Sequence, residues 1–211
     1  NDKWFLCVPE KRQCESVKNR DTWCSLDPGL RSFQTLYSEK FVAQIKIDKE
    51  KVKKLQNKLD LFKSLRDKQL IKKKRWKRRE RHIYNRIECL IDDLHNKTAS
   101  FLTSTFDHII LPVFESQDMV KRCRIRGINR NLLQLKHYSF QQKLISKCAL
   151  KKCSIDICGE EYTTQTCDRC GVLNDIGAAE VFNCKNCHLE LDRDVHSSRC
   201  IGIKILSERG A

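Results

Sequence analysis

Between Asp48 and Leu111 the chain contains neither proline nor glycine, and that uninterrupted span constrains the fold most. Such a stretch lacks the residues that turn or break a backbone, so it must be helix wherever its apolar residues recur at helical spacing. Val52, Leu55, Leu59 and Phe62 recur on an a/d spacing, and Ile83, Ile87, Leu90, Ile91, Leu94, Thr98, Phe101 and Leu102 form a second stripe. The two stripes fit either one long helix or a helical hairpin. The same region holds most of the charge. From Lys46 to Arg81 there are 17 basic and 5 acidic residues, a net +12 out of +15 for all 211 residues, which calls for an anionic partner. Lys72 to Arg81 (KKKRWKRRER) carries eight basic residues in ten. At 3.6 residues per turn these point to every side, so the segment must cross solvent or a polyanion. Lys72, Lys73, Lys74, Arg75, Lys77, Arg78, Arg79 and Arg81 are candidate phosphate contacts, with Trp76 expected to stack on bases. A nuclear-localisation run or a merely solvated helix is the plain alternative.

Around this span the pattern changes to strands. Thr22 to Leu26, stopped by Asp27-Pro28-Gly29, then Ser32 to Tyr37 and Phe41 to Ile47 predict an antiparallel meander. Asp107 to Val113 is an apolar, β-branched run of the kind buried on both faces of a sheet. Asn131 to Lys152 has helical spacing, Cys153 to Cys158 alternates as a fifth strand, and a last apolar helix is expected from about Val195 to Ser207. Three strands, helices, strand, helix, strand, insert and helix give a mixed-sheet α/β fold. No stretch approaches the roughly 18 apolar residues of a membrane span. The opening NDKWFLCVPE has no signal-peptide core. The chain begins at Asn1 and its one methionine is Met119, so processing or truncation is expected.

Cys167, Cys170, Cys184 and Cys187 form C-x2-C-x13-C-x2-C. Each C-x-x-C closes a tight knuckle that aims two thiolates at one point, and two knuckles complete the tetrahedron Zn²⁺ prefers. Gly171 suits a turn needing a permissive backbone. Four cysteines fill the shell, so the zinc is structural and His188 is surplus. Thirteen cysteines in all suit a reducing, intracellular compartment. Cys7, Cys14, Cys24, Cys89, Cys123, Cys148, Cys153, Cys158 and Cys200 lack knuckle spacing and read as small core hydrophobes.

Three acids sit at element ends: Asp27 after the first strand, Glu115 beyond the apolar strand, and Asp194 at the last helix. Brought together they would bind two divalent metals for in-line phosphodiester hydrolysis. Singly, Asp27 reads as a turn residue, Glu115 as a loop charge and Asp194 as an N-cap.

The segments CSLDPGLRSFQTLYS (24–38), ILPVFESQDM (110–119), EEYTTQTCDRCG (160–171) and FNCKNCHLELDRDVHSSRCIGIKIL (182–206), in that order, resemble the RuvC-type nuclease domain of the TnpB/Fanzor group, with the eukaryotic and viral Fanzor branch nearest. That group comprises transposon-associated, RNA-guided DNA nucleases. The resemblance implies an RNase H-like (RuvC-type) mixed sheet with a long helical insertion and a zinc-ribbon insertion. It implies that Asp27, Glu115 and Asp194 hold two Mg²⁺ ions, that DNA is cut, and that a guide RNA selects the target. Helix phase favours Asp194 over Asp192, since Asp194, Ser198, Ile201 and Ile205 would share one face. His196 stands where the family commonly has asparagine, with Ser197 and Ser198 in place of alanines. Residues 1–20 are expected to be the end of a truncated wedge-type domain plus linker. The nuclease core is expected over 21–162 with an insertion at 48–104, the ribbon over 163–190 and the last core helix over 191–211. A eukaryotic host would place the protein in the nucleus. A catalytically silent zinc-ribbon DNA-binding remnant or a transposition regulator is the alternative.

Overall fold

A computed structural model describes residues 6, 8, 9, 22–114, 119–121, 125–159, 165–177 and 179–210. The expected meander forms as β1 (Trp23–Pro28), β2 (Gln34–Tyr37) and β3 (Val42–Ile45), paired antiparallel with Leu26 opposite Leu36 and Leu36 opposite Ala43. β4 (His108–Pro112) adds in parallel beside β1, with Ser25 against Ile110. β5 (Ser154–Cys158) adds in parallel beside β4. The order β3-β2-β1-β4-β5, with three antiparallel strands followed by two parallel ones, is the RNase H-like mixed sheet that the resemblance implied.

The proline- and glycine-free span is a hairpin. α1 (Lys49–Asp67) is N-capped by Asp48, whose carboxylate accepts from the Lys51 amide at 2.9 Å. Gln69 turns the chain in a left-handed conformation, φ 58°, and α2 (Lys73–Thr105) returns. Val52, Leu55 and Leu59 then face Ile83, Ile87 and Ile91, burying two stripes that one straight helix would leave in water. The predicted helix over 131–152 is likewise two, α3 (Arg126–Gln134) and α4 (His137–Lys151), separated at Lys136 with φ 48°. α2 and α4 cover one face of the sheet, where Cys24, Leu26, Ile109 and Leu111 join the main core. The opposite face carries α5 (Arg193–Gly210).

Beneath α4, Phe33 lies between the rings of His95 and His137, each 5.2 Å away. His137 is 5% exposed and neither ring nitrogen has a hydrogen-bond partner. Burial, aided by His95, drives its pKa from 6.5 to about 3. The folded value is depressed, so this contribution to stability is complete above pH 6.5 and is lost as the pH falls toward 3. By pH 4 the loss is about 3 kcal/mol. His137→Phe should flatten the acid limb of stability measured by urea unfolding between pH 6.5 and 4; an unchanged limb would contradict this assignment.

Candidate active site and cysteine cluster

Strand alternation decides where Asp27 looks. Cys24 and Leu26 enter the main core, so Trp23, Ser25 and Asp27 face α5. Ser25 Oγ donates to the Ser198 carbonyl at 2.6 Å, and a Cβ on Gly202 would lie 2.8 Å from both Ser25 Oγ and the Trp23 ring. Glycine is required there for the helix to approach the strand. As α5 runs from 198 to 202 it passes β1 from Ser25 toward Trp23, so the helix is antiparallel to the strand. Its first turn, with Asp194, therefore lies at the Asp27 end. Asp27 and Asp194 are both half-buried. The β4 register carries Ser25 and Ile110 forward to Asp27 and Pro112, so the chain leaves β4 at the same edge. Glu115, three residues beyond Pro112, lies outside the described residues.

Asp192 closes β7 (Glu190–Asp192), which pairs antiparallel with β6 (Val181–Asn183). Its Oδ1 accepts from the amides of Asp194, at 2.9 Å, and Val195, at 3.3 Å. Asp192 is thus the N-cap of α5, which leaves Asp194 available for another task.

Arg31, which sequence reasoning passed over, joins these acids. Its Nε donates to Asp194 Oδ2 at 3.0 Å, and Nη2 lies 3.0 Å from both Asp192 oxygens. Nη1 is 3.5 Å from Glu180. Partial burial works against the charge, but the bond to Asp194 and the fields of Asp194, Asp192 and Glu180 outweigh it and raise the guanidinium pKa. The available signal was a basic residue four positions past Asp27 on a tight turn.

The four knuckle cysteines converge, with all their sulfurs within 4.8 Å of one another. Cys167 and Cys187 are 3.6 Å apart and Cys170 and Cys184 3.5 Å. A tetrahedral thiolate site with metal–sulfur bonds near 2.3 Å needs sulfurs about 3.8 Å apart, so the cluster fits such an ion. Gly171 closes the first knuckle at φ 74°, as the turn requires. Burial pushes the Cys167 thiol up to about 12, whereas the Cys187 amide, helped by that of Asn186, draws Cys184 down to about 6. A central cation is what lets all four act as thiolates together. Asn174, 5% exposed, accepts from the Lys185 amide at 3.0 Å and pins one knuckle to the other.

The ribbon is fastened to α5. His196 is fully buried and its ring stacks on Phe182 of β6 at 3.5 Å and 10°. Asp168, inside the first knuckle, pairs with Arg199 Nε at 2.7 Å and lies 3.7 Å from His196 Nε2. Cys200 donates to the Thr166 carbonyl at 3.4 Å. The histidine that departs from the expected asparagine is therefore a docking residue between ribbon and helix.

The basic run opens α2. Lys72 to Arg75, Lys77 to Arg79 and Arg81 are exposed, as a polyanion-facing segment needs. Trp76 differs from its neighbours: it is 9% exposed and Arg66 lies over its ring at 4.6 Å, so it packs within the hairpin rather than standing open beside the basic side chains. The hairpin packs that side of α2, a long-range contact that composition does not reveal. Among the nine other cysteines, Cys24, Cys148, Cys153 and Cys200 are buried as expected, Cys158 is half-buried and Cys89 is exposed. Cys7, Cys14 and Cys123 lie outside the described residues.

The profile of the Cas12f1-like TNB domain family matches residues 137–201. The TnpB-like protein L79 of Acanthamoeba polyphaga mimivirus is 28% identical over 209 residues, covering 94% of this chain and 40% of that protein. The CRISPR-associated endodeoxyribonuclease Cas12f1 of Sulfoacidibacillus thermotolerans is 32% identical over 137 residues, covering 56% of this chain and 32% of that protein. The chain thus spans about two fifths of the length of the mimivirus relative. Among solved structures, a CRISPR–Cas12f ternary complex superposes with a TM-score of 0.64 at 17% identity, covering 92% of this chain and 40% of the other. A second, a Cas12f1–sgRNA–target DNA complex, superposes at 0.59 and 16%, covering 89% and 51%. Sheet order, cysteine cluster and these relatives together support the chain's membership of the TnpB/Fanzor family.

Proposed function

We propose that this chain is the nuclease half of an RNA-guided, metal-dependent DNA endonuclease, with Asp27, Glu115 and Asp194 as ligands of two Mg²⁺ ions. The observation carrying this reading is that β1 and α5 bring Asp27 and Asp194 to one sheet edge, from which the segment leading to Glu115 also departs. Hard carboxylate oxygens suit Mg²⁺, and Arg31 marks the edge as one that attracts cations. Bound there, the ions would supply an activated water and stabilise the leaving oxygen. The chain's own part is to hold the carboxylates on a strand and a helix that pack rigidly. The four cysteines would hold Zn²⁺, which would order the segment carrying Asp194. Core, insertion and ribbon would divide the chain at 48–104 and 163–190.

DNA and guide RNA as partners rest on the Cas12f1–sgRNA–target DNA complex that the chain superposes on, and on the exposed basic turns of α2. In such complexes base pairing reads the sequence, so no base-reading signature is expected here. No helix among the described residues is long and apolar enough to cross a membrane, and an intracellular, reducing setting suits the thiolates. Incubation with guide RNA, matching DNA and Mg²⁺ or Mn²⁺ should give strand cleavage that EDTA abolishes. Tight binding without any cleavage would favour a silent DNA-binding protein instead. Replacing Lys72, Lys73 and Lys74 together with alanine should weaken nucleic-acid binding about tenfold and lower its log–log salt slope by about 2–3. A mobility-shift titration at several salt concentrations checks this, and an unchanged slope would remove α2 from the interface.

A further inference from the structure

We infer that Arg31 is a built-in cation that holds the Asp194 carboxylate in place until a divalent ion takes it over, so that guanidinium and metal compete for one ligand. This rests on the reading of Asp194 as a metal ligand.

Three acids from three places meet on this one side chain: Glu180 from the residue just before β6, Asp192 from the last residue of β7, and Asp194 from the first turn of α5. Left alone, carboxylates two residues apart on the same edge repel one another. A planar fork can face two carboxylates at once, whereas an ammonium is a single point charge. Arg31 uses the fork in that way, Nε toward Asp194 and Nη2 toward Asp192. Its backbone is fixed too, because Lys49 Nζ donates to the Arg31 carbonyl at 2.8 Å. Asp192 is committed to capping α5 and keeps Nη2 occupied. When Asp194 turns to a metal, the guanidinium therefore stays beside it, anchored on Asp192 and ready to return. Arg31 is thus a positioning residue. It presents Asp194 in a fixed orientation and weakens metal binding by its own charge.

The experiment is a Mn²⁺ titration of the full chain followed by electron paramagnetic resonance without nucleic acid, paired with the metal dependence of cleavage. Arg31→Gln should bind Mn²⁺ about fivefold more tightly than wild type, as loss of one partly exposed ion pair would allow. Its maximal cleavage rate should nonetheless fall, since Asp194 loses its orientation. A residue that only props up the fold would weaken both binding and rate. Arg31→Lys, which keeps the charge but not the fork, should lie between the two and carries the test if Arg31→Gln fails to fold. Asp194→Asn should weaken Mn²⁺ binding strongly. Unchanged or weaker Mn²⁺ binding by Arg31→Gln, with Asp194→Asn losing it, overturns the competition and spares the metal site. Unaltered Mn²⁺ binding by Asp194→Asn overturns the reading of Asp194, and the competition with it.

Discussion

Asp27→Ala and Asp194→Ala should each lower guide-dependent DNA cleavage by about 10³-fold or more, the scale seen when a member of a concerted catalytic unit is removed. Asp27 ends β1 on the face that meets α5, and Asp194 opens α5 at that same end. On the proposed reading, losing either would leave the ions with too few ligands and the wrong charge. The fold should survive. Asp27 is only half-buried at a strand end, and a substitution there should change stability by about 1 kcal/mol or less. Gel-resolved cleavage and circular dichroism on the same preparations separate the two effects. A folded variant that cuts at the wild-type rate would remove that residue from the site.

Stripping metal from the cysteine cluster, or Cys184→Ser, should abolish cleavage even though none of the four cysteines is among the proposed Mg²⁺ ligands. The ribbon's own core is small: Phe182, Cys167 and Cys184 are buried, with Ile176 and Leu189 packed against them. So few apolar groups cannot order the segment alone, and structural zinc in modules of this size is worth on the order of 10 kcal/mol. The ribbon in turn holds α5 through His196 on Phe182 and Asp168 on Arg199. Arg193 adds bonds to the carbonyls of Gly177 and Ala179. Positions 193, 196, 199 and 200 thus grip the ribbon while 198 and 202 grip the sheet, and Asp194 lies between the two sets. Loss of the metal should free the first turn of α5 and lower Tm by about 10 °C or more. Zn²⁺ should restore both Tm and activity, whereas Mg²⁺ alone should not. Full activity in chelated protein resupplied only with Mg²⁺ would contradict this linkage.

The strands and the cysteine cluster were legible because their signals are local. Alternation through Thr22–Leu26 and the apolar run before Pro112 specify strands without reference to distant residues, and two C-x-x-C knuckles specify a cluster by spacing alone. Helix phase also put Asp192 ahead of the last helix, where its carboxylate is found capping the first turn. What stayed hidden depends on long-range packing. Helical spacing fits a hairpin and a single helix equally, because it does not say what each stripe packs against, and the turn at Gln69 carries no glycine to announce it. The same packing took Trp76 out of the basic surface. Arg31 reaches acids more than 160 positions away, and His196 finds its ring partner in a strand inside the ribbon. Neither contact leaves a periodic trace.

Everything proposed for the chemistry depends on divalent metal binding at the Asp27–Asp194 edge. Crystals of the chain soaked in Mn²⁺ and measured at the manganese absorption edge test this without any intervening assay. Anomalous density is expected between the Asp27 and Asp194 carboxylates, with Arg31 turned away from Asp194. Crystals without manganese at that edge, with Arg31 still clasping Asp194 at high Mn²⁺, would contradict it.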